Sequence, residues 1–184
     1  MRIALTGGIG SGKSFVCRLL EERGIAIYDC DAAAKRLMRH DEALKERLIQ
    51  LVGQDLYVDG RLDKARMARF MLQNEAHTAQ VNAIVHPAVG DDFMASGYEW
   101  MECAILFESG FDRYVDRVVC VAAPQEVRIA RVMARDNLPR EKVLQWMEKQ
   151  WPQEEVARRS HFVIVNDGKE PLNQQIDSLL AQLR

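Results

Sequence analysis

Two patterns of hydrophobic and polar residues open the chain. The short apolar run over 2–5 ends in glycines and predicts a buried strand. Apolar residues then recur at helical spacing over 13–23, and Gly24 suits the position after a helix end. A second apolar run over 25–28 leads to Asp29. The order strand, glycine-rich loop, helix and strand predicts a right-handed crossover between two parallel strands.

The stretch from about residue 31 to residue 95 is patterned for helices and shows no convincing strand. We expect either a helical insertion or a bundle of helices that covers one end of a sheet. The expected elements are a helix over 32–39 capped by Asp31, a helix that stops at Gly53, a turn at 58–61, a helix over 65–72, and a further short helix after Pro87.

Strand patterns return in the second half of the chain. Strands are expected at 101–107, 117–122 and 162–165, and helices at 125–136, from Pro139 to about 150, and at 171–183. Together with the first two runs, these make five short strands that alternate with helices. The predicted class is therefore α/β with a mainly parallel sheet.

The composition mainly argues against certain classes of protein, namely those that bind nucleic acid or membranes. The chain has 184 residues, which favours one domain, and its 25 basic and 27 acidic residues give a net charge of −2. That balance gives no reason to expect nucleic acid or a membrane surface as a partner, and no run approaches the roughly 20 apolar residues of a membrane span. The first residues do not resemble a secretory signal, and the 4 scattered cysteines are typical of reduced thiols, so we expect a cytoplasmic protein.

Candidate chemistry concentrates in the loop after the first strand. Residues 7–14, Gly-Gly-Ile-Gly-Ser-Gly-Lys-Ser, fit the phosphate-binding pattern G-x-x-x-x-G-K-[ST]. The glycines let backbone N–H groups turn towards an anion, Lys13 reaches the β- and γ-phosphates, and the Ser14 hydroxyl can bind Mg²⁺. The alternative, a glycine-rich turn with an accidental lysine, leaves the flanking strand and helix unexplained. The expected nucleotide-binding residues are Gly8, Ile9, Gly10, Ser11, Gly12, Lys13, Ser14 and Phe15, the last through its backbone N–H only.

Other features favour a kinase that acts on a small molecule. The chain is short for a motor protein, and it lacks the Asn-Lys-x-Asp tetrapeptide that reads guanine. Asp29 and Asp31 follow the second strand, where ligands bind in open parallel sheets. One of them could take a proton from an acceptor hydroxyl and the other could hold Mg²⁺ or water. The alternative is that Asp31 only caps the next helix and Asp29 only ends the strand.

Three arginines lie at helical spacing in the predicted helix 125–136. Arg128, Arg131 and Arg135 are 3 and 4 residues apart and therefore share one face. Guanidinium groups match the equatorial oxygens of a transferring phosphoryl group, although a solvated basic face is the usual explanation of such spacing.

The motifs and their order resemble the dephospho-coenzyme A kinase family over nearly the whole chain. Four positions depart from the family pattern, namely Phe15, Ala104, Arg128 and His161. The matching segments are 5–14, 29–31, 60–63, 84–87, 104–108, 131–136, Gln150 and 163–168.

This resemblance implies a P-loop fold with a five-stranded parallel sheet flanked by helices, a helical substrate-binding region and a small lid. It implies ATP as cosubstrate, Mg²⁺ as metal, and the ribose 3′-hydroxyl of dephospho-CoA as acceptor in the last step of coenzyme A synthesis. Lys13 would stabilise the transferred group, Asp31 would be the base, and Arg131 and Arg135 would be cationic clamps. Another small-metabolite or nucleoside kinase, or a regulatory nucleotide-binding protein, remains the alternative. The implied division is a core of 1–30, 97–134 and 160–184, a substrate region of 31–96 and a lid of 135–159.

Overall fold

A computed structural model describes residues 1–183, and the chain divides into two compact units. The first consists of residues 1–28 together with the chain from Tyr98 onward, and the second is Asp29–Gly97. Within the described residues, no helix is both long enough and apolar enough to cross a membrane. In chain order the elements are β1 (Ile3–Thr6), α1 (Lys13–Glu21), β2 (Ile27–Asp29), α2 (Cys30–His40), α3 (Glu42–Val52), β3 (Tyr57–Val58), β4 (Arg61–Leu62), α4 (Lys64–Leu72), α5 (Glu75–Ser96), β5 (Trp100–Glu102), β6 (Arg117–Ala122), α6 (Gln125–Asp136), α7 (Arg140–Met147), α8 (Gln153–Arg159), β7 (Phe162–Val165) and α9 (Leu172–Gln182).

The main sheet has five parallel strands in the order β2-β5-β1-β6-β7. The central strand, β1, aligns Ile3 with Trp100 on one side and with Arg117 on the other. All of its residues are buried, as expected for a parallel strand that is covered on both faces. The predicted α/β fold with a five-stranded parallel sheet flanked by helices is confirmed.

The core of the first unit joins the sheet to helices α1 and α9. It is built from branched and aromatic side chains that each expose less than a tenth of their surface, and burial of this kind supplies most of the folding free energy. A smaller cluster joins α6 to α7 and includes Ile9 at its margin. The buried members of the main core are Ile3, Leu5, Val16, Leu19, Leu20, Trp100, Val119, Val121, Ile164, Ile176 and Leu179.

The second unit contains a β-hairpin, so the expectation that this stretch holds no strand is wrong. Strands β3 and β4 pair antiparallel, with Val58 opposite Arg61. The turn predicted at 58–61 is correct, because Asp59 and Gly60 both have positive φ, 50° and 73°, as a two-residue hairpin turn requires. Each strand has only 2 residues, which is too short for an alternating pattern to be visible in the sequence.

Helix α5 is a single helix of 22 residues with Pro87 inside it, where we expected a break at His86-Pro87 and a new short helix. A proline removes one backbone hydrogen bond and crowds the preceding turn. Helix α5 packs against α2, α3 and α4, and this long apolar contact outweighs the local loss.

Strand β5 ends at Glu102, well before the predicted end at residue 107. The N–H of Cys103 still bonds the carbonyl of Leu5, at 3.0 Å, after which the chain turns away from the sheet. The apolar residues beyond it lie in tight turns, in which the Phe111 N–H bonds the Leu106 carbonyl at 2.9 Å. An apolar run alone does not distinguish a strand from a buried turn.

Candidate active site

The loop over residues 7–12 connects the carboxyl end of β1 to the first turn of α1. Gly12 precedes the helix with φ at 91°, a left-handed conformation that a glycine adopts without strain. Ser14 and Phe15 are exposed in the first turn of α1. The Phe15 N–H, which we expected to face a phosphate, bonds the Gly12 carbonyl at 3.0 Å. The N–H groups of Lys13 and Ser14, together with the positive end of the helix, form a site that favours an anion.

Side chains bind the carbonyl oxygens of this loop at alternate residues. The ammonium of Lys13 donates to the carbonyl of Gly7 at 2.7 Å. The guanidinium of Arg128 donates through Nε to the carbonyl of Ile9 at 2.9 Å. A carbonyl that is fixed to an outside donor holds its peptide group in one orientation, and this leaves the loop preorganised for anion binding.

The third carbonyl, that of Ser11, is bound by Asn166, which directly follows β7. The side-chain Nδ2 of Asn166 donates to it at 2.9 Å, and Arg131 adds a longer bond of 3.4 Å through Nη1. Arg131 in turn donates to the main-chain and side-chain oxygens of Asn166 at 3.0 and 3.3 Å. Asn166 is only 7% exposed, so this network lies out of water, where each bond is stronger.

Two glycines of the loop lie directly against the side chains that bind it. A Cβ at Gly8 would collide with the guanidinium of Arg128, and a Cβ at Gly12 would collide with the amide of Asn166. The Ser11 hydroxyl, by contrast, is a buried oxygen without a hydrogen-bond partner among the described residues. Buried polar groups of this kind cost about 1–3 kcal/mol each and are concentrated at functional sites.

Glu102 is a site residue that the sequence analysis missed. It is the last residue of β5, pairs in register with Leu5 of the neighbouring β1, and has its Oε1 3.8 Å from Nζ of Lys13. Both side chains are largely buried, with 11% of Lys13 and 19% of Glu102 exposed. The missing signal was the strand end: with β5 expected to run to residue 107, Glu102 was placed inside a strand rather than at its carboxyl end.

Burial lowers the pKa of Lys13, and the nearby Glu102 carboxylate opposes that shift. The folded protein therefore holds this proton less tightly than the unfolded chain does. At pH values below the pKa of Lys13 in the folded protein, the buried charge lowers the free energy of unfolding. This cost disappears as the pH rises through that pKa towards the ordinary lysine pKa of 10.5, because the folded protein then releases the proton.

The three arginines predicted to share one face have different partners. Arg128 is buried, 6% exposed, and Arg131 is partly buried, and both bind the loop. Arg135 lies at the end of α6 with 62% of its side chain exposed and forms a bidentate bond with Asp136, at 2.8 and 2.7 Å. The roles expected for Arg131 and Arg135 as clamps on the transferred group stay predictions.

The two aspartates that follow β2 also differ. Asp29, not Asp31, is the N-cap of α2, because its Oδ1 accepts the N–H of Ala32 at 2.9 Å. Asp31 lies within the first turn of the helix and is exposed. No hydrogen-bond or ion-pair partner within residues 1–183 engages its carboxylate. The cap expected at Asp31 therefore lies two residues earlier.

Gln150 and Asn166 touch the loop although the sequence analysis gave neither a role. The side-chain oxygen of Gln150 accepts the N–H of Ile9 at 2.8 Å. Both residues were recognised as parts of motifs, but neither carries a charge or a metal ligand that would have marked it as functional.

The oxygen donors at the site fit a magnesium ion held jointly with phosphates. Ser14 offers a hydroxyl in the first turn of α1, and Glu102 offers a carboxylate at the end of the adjacent strand. Mg²⁺ prefers such hard oxygen ligands and usually takes only one or two from the protein. No group of three or more His, Cys, Asp or Glu side chains suited to a metal occurs in the described part of the chain.

Comparison with known proteins shows which family this chain belongs to. The profile of the family described as dephospho-CoA kinase matches residues 1–171. The chain belongs to the dephospho-CoA kinase family. A dephospho-CoA kinase from Bacteroides fragilis is 40% identical over 100% of this chain and 93% of its own length.

Solved structures share the fold of this chain. A protein from Thermus thermophilus is 35% identical, covers 100% of this chain and 98% of its own, and superposes with a TM-score of 0.85. A dephospho-CoA kinase from Campylobacter jejuni, 17% identical, covers 99% of this chain and 96% of its own with a TM-score of 0.69, which shows a shared fold.

Asn166→Ala should lower both stability and nucleotide binding. The change removes the donor to the Ser11 carbonyl and a partner of Arg131. We expect the free energy of unfolding in urea to fall by about 1–3 kcal/mol and ADP binding to weaken about tenfold. The control is Asn173→Ala, which removes an exposed bond to Arg23 and should change stability by about 0.5 kcal/mol or less. Equal unfolding free energies for the two variants would contradict the proposed importance of this network.

Glu102→Gln should move the alkaline limb of the pH–rate profile to lower pH. The carboxylate raises the pKa of Lys13, so its removal lets that lysine lose its proton earlier as the pH rises. The measurement is kcat/KM for ATP between pH 7 and about 10.5, with the position of the limb as the readout rather than the overall rate. Glu108→Gln is the control, because Glu108 accepts the Trp151 N–H and a glutamine oxygen can do the same. If the alkaline limb of the pH–rate profile does not shift in Glu102→Gln, then Glu102 does not influence the pKa of Lys13.

Proposed function

We propose that this chain transfers the γ-phosphoryl group of ATP to the ribose 3′-hydroxyl of dephospho-CoA, giving coenzyme A and ADP. Family membership supports the reaction and the acceptor. The observation that carries the proposal is the fixed phosphate loop, in which Lys13, Arg128 and Asn166 each bind a loop carbonyl and hold the loop in one conformation at the start of α1. We also propose a cytoplasmic location, where the four free thiols would stay reduced.

Catalysis in this proposal rests on placing positive charge around the transferring group. Phosphoryl transfer passes through a loose transition state whose charge spreads over the equatorial oxygens, so positioning and electrostatics do most of the work. The N–H groups at the start of α1 hold the phosphates, and Lys13 exchanges the Gly7 carbonyl for a phosphate oxygen. Mg²⁺, held by Ser14 and Glu102 together with phosphate oxygens, would supply further charge neutralisation.

Arg131 and Arg135 complete the proposed set of cations. Arg131 already reaches the loop, so a small change in its contacts with Asn166 would turn its guanidinium to a phosphate. Arg135 is exposed, and its forked pairing with Asp136 is the geometry in which it would bind two oxygens of a phosphoryl group instead.

We assign the base to Asp31. Asp29 is already committed to the helix N-terminus through the Ala32 N–H, whereas the Asp31 carboxylate is exposed and able to accept a proton. In this role Asp31 orients the acceptor hydroxyl and takes its proton as the new P–O bond forms.

The reaction is tested by incubating the protein with Mg·ATP and dephospho-CoA. We expect coenzyme A, heavier than the substrate by one phosphoryl group, in the mass spectrum, together with one ADP per coenzyme A. Adenosine, gluconate and shikimate serve as competing acceptors and should give little turnover. Faster transfer to any of these, or ADP formation that does not depend on dephospho-CoA, would overturn the assignment of the acceptor.

Asp31→Asn should lower kcat by about 10²–10⁴ while ATP binding stays near that of the wild type, because the amide keeps the size of the side chain but accepts no proton. Asp29→Asn is the matched comparison, since asparagine caps a helix as well as aspartate does and the fold is preserved. We expect this second variant to stay within a few-fold of the wild-type kcat. If the two variants exchange these results, the base is Asp29.

A further inference from the structure

One residue of the phosphate loop, Ile9, is held at its N–H, its carbonyl and its side chain. Its N–H donates to Oε1 of Gln150 at 2.8 Å, and its carbonyl accepts from Nε of Arg128 at 2.9 Å. Its side chain packs against the small cluster of Ile129, Val132 and Val143. Every one of these contacts comes from residues 125–150, which contain α6, α7 and the turn after α7.

The turn that carries Gln150 is itself firmly anchored. The Gln150 N–H bonds the Met147 carbonyl at 3.1 Å, which continues the last turn of α7. The next residue, Trp151, donates its N–H to Glu108 at 2.9 Å, and its ring stacks on Phe107 with a centroid separation of 5.9 Å. The guanidinium of Arg159 lies 4.5 Å from the Trp151 ring centroid. Gln150 therefore contacts the loop from a fixed position, and its hydrogen bond to the Ile9 N–H is held in one geometry.

The residue type at position 150 suits a neighbour of a phosphate site. A glutamine oxygen is a neutral acceptor, so it binds the Ile9 N–H without adding negative charge next to a loop that holds an anion. A glutamate would accept the same bond but would repel the phosphates, and a shorter asparagine would not reach.

We propose that Gln150 is a positioning residue that couples residues 137–150 to the phosphate loop, so that nucleotide binding and the order of this segment depend on each other. This inference rests on the proposed function of the loop as the nucleotide site. Gln150 fixes the Gly8–Ile9 peptide and Arg128 fixes the Ile9–Gly10 peptide, so a nucleotide that orders the loop also orders the segment.

The test compares Gln150→Met with Gln175→Met. Methionine keeps the length of the side chain and removes the amide, and Gln175 makes the same kind of contact elsewhere: it bonds the N–H and carbonyl of Val165 at 2.8 and 2.9 Å. For Gln150→Met we expect ADP binding by calorimetry to weaken about tenfold, the effect of one lost hydrogen bond. For Gln175→Met we expect wild-type affinity.

Hydrogen exchange supplies a readout that a merely structural role would not change. In the wild type, ADP should slow exchange over residues 137–150; in Gln150→Met this protection should disappear, and the Ile9 amide should exchange about tenfold faster without nucleotide. If Gln150→Met does not fold, Gln150→Asn takes its place with the same expectations. Wild-type affinity and protection in the folded variant, or tighter ADP binding, would overturn the inference. Failure of the wild type itself to bind ADP would instead overturn the proposed function.

Discussion

A loop that binds an anion through its backbone N–H groups has to place its carbonyl oxygens elsewhere, because each peptide group carries both. In this protein Lys13, Arg128 and Asn166 bind the carbonyls of Gly7, Ile9 and Ser11. These three side chains come from α1, α6 and the end of β7, so the loop conformation depends on segments far apart in the chain. The glycines at 8 and 12 fit this arrangement, because a Cβ there would meet the side chain of Arg128 or of Asn166. Phosphate affinity in this chain is thus a property of its tertiary structure and not of the motif alone.

The sequence was sufficient for those parts of the fold and site that depend on local spacing. The strand–loop–helix start, the helix Gln125–Asp136 and the strand Phe162–Val165 follow from apolar periodicity, which a short window of sequence records. The loop motif at 7–14 could likewise be recognised from the sequence, because glycine, lysine and serine are each required there by backbone or phosphate geometry.

Features that depend on contacts between residues far apart in the chain could not be predicted from the sequence. Glu102 became a site residue only because β5 stops there and lies beside β1. The helical spacing of Arg128, Arg131 and Arg135 did not reveal their different surroundings, since burial depends on what packs against the helix. Helix α5 continues through Pro87 for a similar reason, because contacts with three other helices outweigh a local preference.

The strand order has an evolutionary consequence. Strands β2 and β5 are neighbours in the sheet although 70 residues lie between Asp29 and Trp100. The whole second unit is therefore one enlarged crossover connection between two adjacent strands, entered and left only once. Such a connection can be lengthened, shortened or replaced by recombination without changing the pairing of any other strand.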